Sequence, residues 1–311
     1  MTEPLVSICV ITYNQEGYIA QTLDSILSQE HNYPYEIVVG EDCSPDGTKK
    51  IIEEYVEKYP DIIKPLYNNP NKGIIGNYFN VISHCRGKYI MECAGDDYWL
   101  PGKVKTQVEY METHPDVGMC YGKAFMLDVQ TSIFLKREFG SKWETFPQLL
   151  QDNKVPALTV CMRKDVLSQY IKEINPLEKK WLMEDYPTWL WIAKNSKIKF
   201  LDFKFGVYRV GQVSASLDGN LEKMIRFSKN YHAIKSFYSE LYCSTPLEWN
   251  EDENLFFICY DELRKDYSQE IKKKLLNHYK KIPKKNLKMK VIYFSSLTQI
   301  TFKLFLKFRG F

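Results

Sequence analysis

The stretch MECAGDDYWLPGK, residues 91–103, places two adjacent carboxylates directly after an apolar, strand-like run. Asp96 and Asp97 are followed by two aromatic residues and by Leu100-Pro101, which turns the chain towards a helix. Two neighbouring ionised carboxylates repel each other unless a cation or a strong donor lies beside them. The stretch therefore predicts either a divalent-metal site with a phosphorylated ligand, or an acidic turn in which Asp96 caps the following helix.

Strand-like and helix-like patterns alternate through the first 115 residues, which is typical of a parallel sheet covered by helices. Apolar residues at helical spacing predict helices between the strands, the third of them over 77–84. The predicted strands of this part are 5–11, 35–39, 62–67 and 88–93.

Polar clusters follow three of these strands, at Thr12-Tyr13-Asn14, Glu41-Asp42 and Asp96-Asp97. Ligands of such sheets bind beyond the carboxyl ends of the strands. We therefore expect the three clusters to meet in one crevice.

The pattern changes after residue 115. Helices are predicted near 165–173 and 185–194, and again from about 218 to 280. This mixed order predicts antiparallel strands that complete the sheet and build the other wall of the cleft. The predicted strands of this part are 117–127, 132–135, 157–162 and 200–210.

Composition indicates one large domain, or one domain with an appendage, because 311 residues with 44% apolar content can fill a core. The eight cysteines form no CxxC pair and are expected to be buried free thiols in a reducing compartment. The apolar run after Glu3 is short and predicts a first strand instead of a signal peptide. No stretch of eighteen uncharged apolar residues occurs, so no spanning helix is expected.

The formal charge of +3 is distributed unevenly. Residues 1–270 carry 30 basic and 39 acidic residues, whereas 271–311 carry twelve basic residues and no acidic one. Within 282–311, lysines alternate with aromatic and aliphatic residues along a predicted helix. This pattern fits a helix on an anionic membrane surface, or a basic helix that packs on the domain or forms a dimer contact.

Six stretches carry a resemblance to a known family. They are VSICVITYNQEGYIAQTLDSILSQ (6–29), YEIVVGEDCSPDGT (35–48), NKGIIGNYFNVISHCRGKYI (71–90) and GDDYWLPGKVKTQ (95–107), with WLMEDYPTWLWIA (181–193) and VYRVGQVSAS (207–216). In them the chain resembles the inverting GT-A nucleotide-sugar glycosyltransferases of family 2, over about residues 5–115 and more weakly to Ser216. The resemblance implies an α/β GT-A fold, with a nucleotide-sugar-binding half (1–115), an acceptor-side half (116–217) and a helical, basic extension (218–311).

The resemblance implies a donor site at the strand ends. Asp42 would accept a hydrogen bond from the imide N–H of a uracil or thymine ring; alternatively, it is a turn aspartate bonded to the backbone of Ser44. Asp96 and Asp97 correspond to the DXD motif and would hold Mn²⁺ or Mg²⁺ on the diphosphate. The remaining residues expected at the donor are Thr12, Tyr13, Asn14, Glu16, Asn77 and Arg209.

The resemblance also implies a catalytic carboxylate in WLMEDYPTW. Asp185, with Glu184 beside it, would take the proton from an acceptor hydroxyl as that oxygen attacks the anomeric carbon, which inverts the configuration. Asp185 could instead cap a helix. The aromatic residues expected to stack on an acceptor sugar, unless they belong to the core, are Trp99, Trp181 and Tyr186.

Two positions depart from the family pattern. Ala94 stands where an acidic residue is frequent, and Gly211 stands where relatives often have a histidine. We therefore expect the two adjacent aspartates to carry the metal largely by themselves, with Arg209 helping to hold the diphosphate.

The sequence thus predicts a metal-dependent inverting glycosyltransferase with a UDP-sugar donor. The expected acceptor is a lipid-linked glycan of bacterial envelope polysaccharide synthesis, such as O-antigen or capsule, at the cytoplasmic face of the cell membrane. The alternatives are a non-catalytic sugar-nucleotide-binding relative and a nucleic-acid-binding protein that uses the basic tail. A sugar nucleotidyltransferase and an NAD enzyme are disfavoured, because the glycine-rich loop that each needs after strand one is missing.

Overall fold

The structure, a computed structural model, describes residues 3–211, 221–244 and 249–308. Its contacts divide the chain into two units, Met1–Gln212 and Val213–Phe311. Part of the stretch that resembles the family, 212–216, lies outside the described residues, as does Arg309 of the basic tail.

The first unit is built on a mixed sheet with helices on both faces. Its strands are β1 (Val6–Thr12), β2 (Tyr35–Glu41), β3 (Ile63–Tyr67), β4 (Tyr89–Ala94), β5 (Tyr98–Trp99), β6 (Val117–Asp128), β7 (Ile133–Phe134), β8 (Cys161–Arg163) and β9 (Lys197–Val210). Its helices are α1 (Ile19–Leu27), α2 (Thr48–Lys58), α3 (Gly73–His84), α4 (Lys103–Thr113), α5 (Phe146–Gln151), α6 (Lys164–Ile174) and α7 (Asp185–Asn195).

The strands lie in the order β3-β2-β1-β4-β8-β6-β9-β5, and β7 pairs with β6. Strands β1 to β4 are mutually parallel, and β8 runs antiparallel between β4 and β6. Strands β6 and β9 are parallel to each other. The carboxyl ends of β1, β2, β3, β4, β6 and β9 therefore lie on the same edge of the sheet.

Burial on both faces explains the continuous apolar runs of the central strands. Every residue of β1 except Ile11 is buried, and the side chains of Val6, Ile8 and Val10 join one core with α1 and α4. Helix α1 contributes Ile19, Leu23 and Ile26, which share one face at helical spacing. Apolar burial of this kind contributes roughly 25 cal/mol per Å² and holds the strand ends in fixed positions.

Several element predictions from the sequence need correction. Helix α3 begins at Gly73 instead of residue 77, because Lys72 and Gly73 have their backbone N–H groups fixed by Asp42 and Asn71. The predicted strand 157–162 is a short 3-10 helix, Ala157–Thr159, followed by β8. The strands after residue 115 were expected to be antiparallel, but β6 and β9 are parallel to each other.

The prediction that Asp96 caps the following helix is wrong. The residue before α4 is Gly102, whose φ of 84° is in the left-handed region that favours glycine. The two-residue strand β5 separates the carboxylates from that helix.

The described part of the second unit is helical. Its helices are α8 (Leu221–Cys243), α9 (Glu251–Lys265), α10 (Gln269–Lys281), α11 (Leu287–Ser295) and α12 (Gln299–Phe308). Side chains of Asn250, Ser268 and Asn286 accept hydrogen bonds from the first turns of α9, α10 and α11, as helix caps do. The stretch 282–311 was predicted as one helix, but its described part, 282–308, contains two, with Ser296 buried between them.

A separate core holds the second unit together. Residues of the basic tail, Ile282, Ile292 and Phe302, are almost fully buried in it with Phe256 of α9 and Leu275 of α10. Within 3–211, 221–244 and 249–308, no helix is long and apolar enough to cross a membrane.

All eight cysteines are free, as expected, but only six are buried. Cys43 and Cys243 are exposed, which corrects the expectation for these two residues.

Candidate active site

The carboxyl edge of the sheet gathers the polar residues that follow β1, β2 and β4. We use the name carboxyl edge for Thr12, Asp42, Asp96, Asp97 and Arg209. The first four were expected there from their positions after strands, and Arg209 reaches the same edge because β9 runs parallel to β6.

Asp42 is held from one side by a network of amides. Its Oδ1 accepts a hydrogen bond from Asn68 Nδ2 at 2.9 Å and from the backbone N–H of Lys72 at 2.8 Å. The carboxylate is 2% exposed. The interpretation of Asp42 as a cap for Ser44 is wrong, because the backbone N–H of Ser44 donates to Glu41 Oε1 instead, at 2.7 Å.

Asn77 supports this network from behind. Its Nδ2 donates to the carbonyl of Gly40 at 2.8 Å, and its Oδ1 accepts from Asn68 Nδ2 at 2.9 Å. Asn77 is 2% exposed, like Asp42, and both ends of its side-chain amide are bonded to protein groups. The structure thus places this expected donor residue behind Asp42.

The loop after β1 is fixed to the loop after β2. Asn14, with φ of 56°, donates its backbone N–H to Ser44 Oγ at 3.0 Å. The carboxylate of Glu16 accepts from the backbone N–H of Gly47 at 2.6 Å. Thr12 is buried and bonded to Gln15, whereas the Tyr13 ring is half exposed. Tyr13, Asn14 and Glu16 are all exposed, and Tyr13 is the aromatic residue among them.

The turn that carries the two aspartates is tied to α1. Thr22 Oγ1 donates to the carbonyl oxygens of Gly95 and Asp97, at 2.9 and 2.6 Å. Gly95 is required there, since a Cβ would lie 2.6 Å from Thr12 Oγ1 and 2.5 Å from Gln15 Oε1. The close approach of the turn to β1 therefore depends on a residue without a side chain.

The two aspartates differ in environment. Asp97 is 4% exposed, and its Oδ1 accepts the backbone N–H of Arg209 at 2.9 Å. Burial, and next the charge of Asp96, raise the pKa of Asp97 well above its usual range. Asp96 is more exposed than Asp97.

Arg209 is packed into the same turn. Its guanidinium lies between the rings of Tyr18 and Tyr98, at 4.9 and 4.8 Å from their centroids. It donates to the carbonyl oxygen of Asp96 and to Gln21 Oε1. The arginine therefore contacts the protein on two sides and through both of its terminal nitrogens.

Asp185 is the first residue of α7, and Glu184 is the residue before the helix. Asn153 Nδ2 donates to Asp185 Oδ2 at 3.3 Å. The N-cap position belongs to Glu184, whose side chain makes no capping bond, so the alternative of Asp185 as N-cap is wrong by one residue. Burial raises the pKa of Asp185, and burial together with the charge of Asp185 raises the pKa of Glu184 to about 8.

Tyr208 is influenced electrostatically by both the Asp96–Asp97 pair and Asp185. Burial raises the pKa of its hydroxyl, and the charges of Asp97, Asp96 and Asp185 raise it further. One side chain thus senses both the aspartate turn and the start of α7. The sequence could have indicated Tyr208 only through its position next to Arg209.

Glu92 is a further buried acid that sequence reasoning left without a role. It is 5% exposed and accepts a hydrogen bond from the Tyr78 hydroxyl. Burial raises the pKa of Glu92 to about 8; the Tyr78 bond opposes this shift, and the charges of Glu184 and Asp185 add to it. The signal in the sequence was a charged residue at the middle of an otherwise apolar strand.

Three aromatic residues expected at an acceptor are core residues. Trp99 and Tyr186 are 2% and 0% exposed, and the Tyr186 hydroxyl donates to the carbonyl of Leu149. Trp181 is 8% exposed. These burial values correct the expectation that the rings of Trp99 and Tyr186 lie open to a sugar.

The donor set at Asp96 and Asp97 fits a hard divalent cation. Carboxylate oxygens are the ligands that Mn²⁺ and Mg²⁺ prefer, and such ions commonly complete their coordination with water and phosphate oxygens. Within the described part of the chain, no group of three or more His, Cys, Asp or Glu residues could hold a metal ion. An ion at this turn would therefore take at most two carboxylates from the described protein.

Sequence comparison identifies a family and several similar proteins. The model of a family described as glycosyl transferase family 2 matches residues 7–169. An uncharacterised protein of Mycobacterium tuberculosis is 40% identical over 145 residues, which cover 46% of this chain and 39% of that protein. The chain thus spans about two-fifths of the length of this relative.

One relative has a more specific description. The Escherichia coli protein WfgD, a UDP-Glc:alpha-D-GlcNAc-diphosphoundecaprenol beta-1,3-glucosyltransferase, is 29% identical over 219 residues, or 70% of this chain and 81% of WfgD.

A solved structure shares the fold. The mannosyltransferase of Pyrobaculum calidifontis, in complex with GDP-Man and Mn²⁺, aligns with a TM-score of 0.55 and 13% identity over 98% of this chain and 84% of that one. The expected GT-A fold with a helical carboxyl-terminal region is confirmed.

Proposed function

Since the chain belongs to glycosyl transferase family 2, we propose that it transfers a sugar from a UDP-sugar to a hydroxyl of a glycan, with inversion at the anomeric carbon. The observation that carries the proposal is the carboxyl edge, where Asp42, a candidate reader of the base, and Asp96 and Asp97, a candidate metal-binding pair, follow parallel strands. The charges of Asp96, Asp97 and the candidate base Asp185 all raise the pKa of Tyr208.

Asp42 would select the nucleobase. Two protein donors fix its Oδ1, and Oδ2 would then accept the imide N–H of uracil. Tyr13, half exposed on the neighbouring loop, would cover the base or ribose. Thr12, Asn14 and Glu16 would act mainly by shaping this loop, since their polar groups bond within it or to the loop after β2.

Asp96 would be the principal protein ligand of Mn²⁺ or Mg²⁺. Asp97 already has one oxygen bonded to the backbone of Arg209 and is the more deeply buried of the two. When bound, the cation supplies charge neutralisation for the departing nucleoside diphosphate. A mannosyltransferase of similar fold is described in complex with GDP-Man and Mn²⁺, which supports a metal at this edge.

Asp185 would serve as the general base. In its ionised form it accepts the proton of the acceptor hydroxyl while that oxygen bonds to the anomeric carbon and the bond to the diphosphate breaks on the opposite face. Its raised pKa makes it a stronger base than an ordinary aspartate. Asn153 would orient the carboxylate of Asp185, whose charge helps to raise the pKa of the neighbouring Glu184.

A panel of sugar nucleotides tests the donor proposal. Calorimetric titration of the protein with UDP-glucose, UDP-GlcNAc, dTDP-glucose and GDP-mannose should give binding of the uracil and thymine donors that Mn²⁺ strengthens. Equal affinity for GDP-mannose would overturn the role of Asp42. Absence of binding to every donor with Mn²⁺ would overturn the function.

We further propose that the acceptor is a lipid-linked glycan and that the second unit contacts an anionic membrane. The name of the WfgD protein describes an acceptor on diphosphoundecaprenol. With such an acceptor, the protein would act at the inner face of the cell membrane.

The tail helices present the surface for this contact. We call the tail face the six exposed apolar side chains on α11, α12 and the turn between them. Lys288, Lys290 and Lys303 are exposed on the same helices. The six residues are Leu287, Val291, Phe294, Leu297, Ile300 and Leu304.

Apolar side chains beside lysines fit a lipid surface, because the lysines meet the head groups while the apolar groups enter the interface. The alternative of a tail packed on the unit holds for one side of these helices, where Ile292 and Phe302 are buried. The buried side supports packing on the unit, and the exposed side supports the proposed membrane contact.

Point variants test the tail better than truncation, because removing Phe302 and Ile292 would also remove core residues. Phe294→Ser combined with Ile300→Ser should reduce sedimentation with vesicles of phosphatidylserine and phosphatidylcholine several-fold, without changing UDP affinity. Ile133→Ser, at an equally exposed site of the first unit, is the matched control. Unchanged sedimentation of the double variant, or equal loss in the control, would contradict the membrane proposal.

A further inference from the structure

Arg209 is more buried and makes more protein contacts than an arginine that only binds a diphosphate would need. Its side chain is 6% exposed, near the end of β9, and its guanidinium lies between the rings of Tyr18 and Tyr98. An arginine close to two aromatic rings gains cation–π attraction from both. The guanidinium is therefore fixed before any ligand arrives.

The hydrogen bonds of Arg209 are directed at the aspartate turn. Its side chain donates to the carbonyl oxygen of Asp96, and its backbone N–H donates to Asp97 Oδ1 at 2.9 Å. A second terminal nitrogen donates to Gln21 on α1. One residue thus bonds to both aspartates and connects them to a helix.

Helix α1 bonds to the turn independently. Thr22 Oγ1 donates to the carbonyls of Gly95 and Asp97 at 2.9 and 2.6 Å. The turn is therefore held between α1 and β9. Because the turn is bonded on both sides, the positions of the two carboxyl groups are set by α1 and β9.

We propose that Arg209 is a positioning residue for the Asp96–Asp97 turn: it sets the carboxylates for a divalent cation instead of binding the diphosphate of the donor. The proposal rests on the proposed donor site and revises the role that the sequence suggested for this arginine. It also gives a reason for an arginine at this position, since the planar fork can donate to Asp96 and Gln21 while it stacks on two rings.

Binding of a nucleotide series separates the two roles. An arginine that binds the diphosphate raises the affinity for UDP relative to uridine even without metal, because its charge acts on the phosphates directly. A positioning residue leaves that ratio unchanged and alters only the Mn²⁺ concentration needed for tight UDP binding. Calorimetric titration with uridine, UMP and UDP, each with and without Mn²⁺, measures both quantities.

Two variants make the test independent of charge. Arg209→Lys keeps the charge but loses the planar fork, and Thr22→Val removes the hydroxyl whose single proton is shared between the two carbonyl oxygens of the turn, without changing any charge. We expect both to raise the Mn²⁺ concentration for half-maximal UDP binding about tenfold, while the metal-free UDP-to-uridine ratio changes less than twofold. Electron paramagnetic resonance of Mn²⁺ should show the same weakening without nucleotide.

The contrary outcomes are distinct. A selective loss of metal-free UDP affinity in Arg209→Lys would make Arg209 a phosphate ligand and overturn the proposal. An unchanged Mn²⁺ requirement in Thr22→Val would also overturn it, even if the arginine variant does not fold. If the unmodified protein fails to bind UDP with Mn²⁺, the proposed donor function itself is wrong. That result comes from the unmodified protein alone and is therefore distinct from the results of the variants.

Discussion

The carboxyl edge and the tail face use charge in opposite ways. At the carboxyl edge, Asp42, Asp97 and Arg209 are almost fully buried and each is held by named hydrogen bonds. On the tail face, lysines and apolar side chains are exposed side by side. Buried charges interact strongly and depend on geometry, whereas exposed charges interact weakly and are screened by salt.

This difference teaches where single substitutions should matter. A change at the carboxyl edge should produce a large and specific effect on one chemical step. A change on the tail face should produce a small effect that adds to those of its neighbours.

The largest expected effect follows Asp185→Asn, because an amide cannot accept the proton of the acceptor hydroxyl. Loss of a general base lowers the rate by about 10²–10⁴-fold. UDP release in the presence of acceptor should fall by that factor, while calorimetric UDP affinity persists. Asp165→Asn, an equivalent change in the first turn of α6, serves as control. Near-normal turnover of the Asp185 variant would indicate a non-catalytic relative or a different base.

The next effect concerns stability and pH at Glu92. Its pKa of about 8 in the folded protein lies above the ordinary value of 4.5. The contribution of Glu92 to folding is therefore fully present below about pH 4.5 and is lost as pH rises towards 8. Between pH 5 and pH 8, the free energy of unfolding of the Glu92→Gln variant should rise relative to that of the unmodified protein by on the order of 2–4 kcal/mol.

Urea midpoints at the two pH values measure this change. Glu109→Gln, an exposed acid on α4, should show no comparable gain. A pH-independent difference between Glu92→Gln and the unmodified protein would mean that Glu92 is ionised in the fold.

A smaller effect is expected for Asp96→Ala. If Asp96 is the principal metal ligand, its loss should weaken UDP binding at least tenfold, by about 1.4 kcal/mol or more, when Mn²⁺ is present. Metal-free UDP affinity is the internal control and should stay the same. Equal weakening under both conditions would point to misfolding of the turn.

The smallest effect belongs to a single tail lysine. Lys303→Gln should lower vesicle association about fivefold, since a basic residue near an anionic surface contributes about 1 kcal/mol. The loss of vesicle association should shrink at high salt. Lys105→Gln, on the first unit, should cause no loss of vesicle association. A large, salt-insensitive loss would instead place Lys303 in a specific contact.

The sequence predicted the parts of the fold that depend on periodicity. Apolar runs located β1, β2 and β4 within one or two residues, because these strands are buried on both faces. The start of α3 was missed because Gly73 and Gly76 resemble a loop, and only the bond from Lys72 to Asp42 shows that the helix begins earlier.

Roles in the site were less predictable than positions. The residues that follow strands were correctly brought together at one edge, but their orientation depends on distant partners. Asn77 faces Gly40 and Arg209 faces Tyr18, both through contacts between residues far apart in sequence. Burial of Trp99 and Tyr186 likewise depends on how helices cover the sheet, which residue spacing alone does not specify.

The stereochemistry of transfer tests the central claim most directly. The product formed from an α-linked UDP-sugar and a glycan acceptor with Mn²⁺ can be examined by proton NMR, where the anomeric coupling distinguishes the two configurations. A single displacement with Asp185 as base predicts a β-linked product, which Asp185→Asn should not form. An α-linked product, or a β-linked product formed equally well by the variant, would contradict the account.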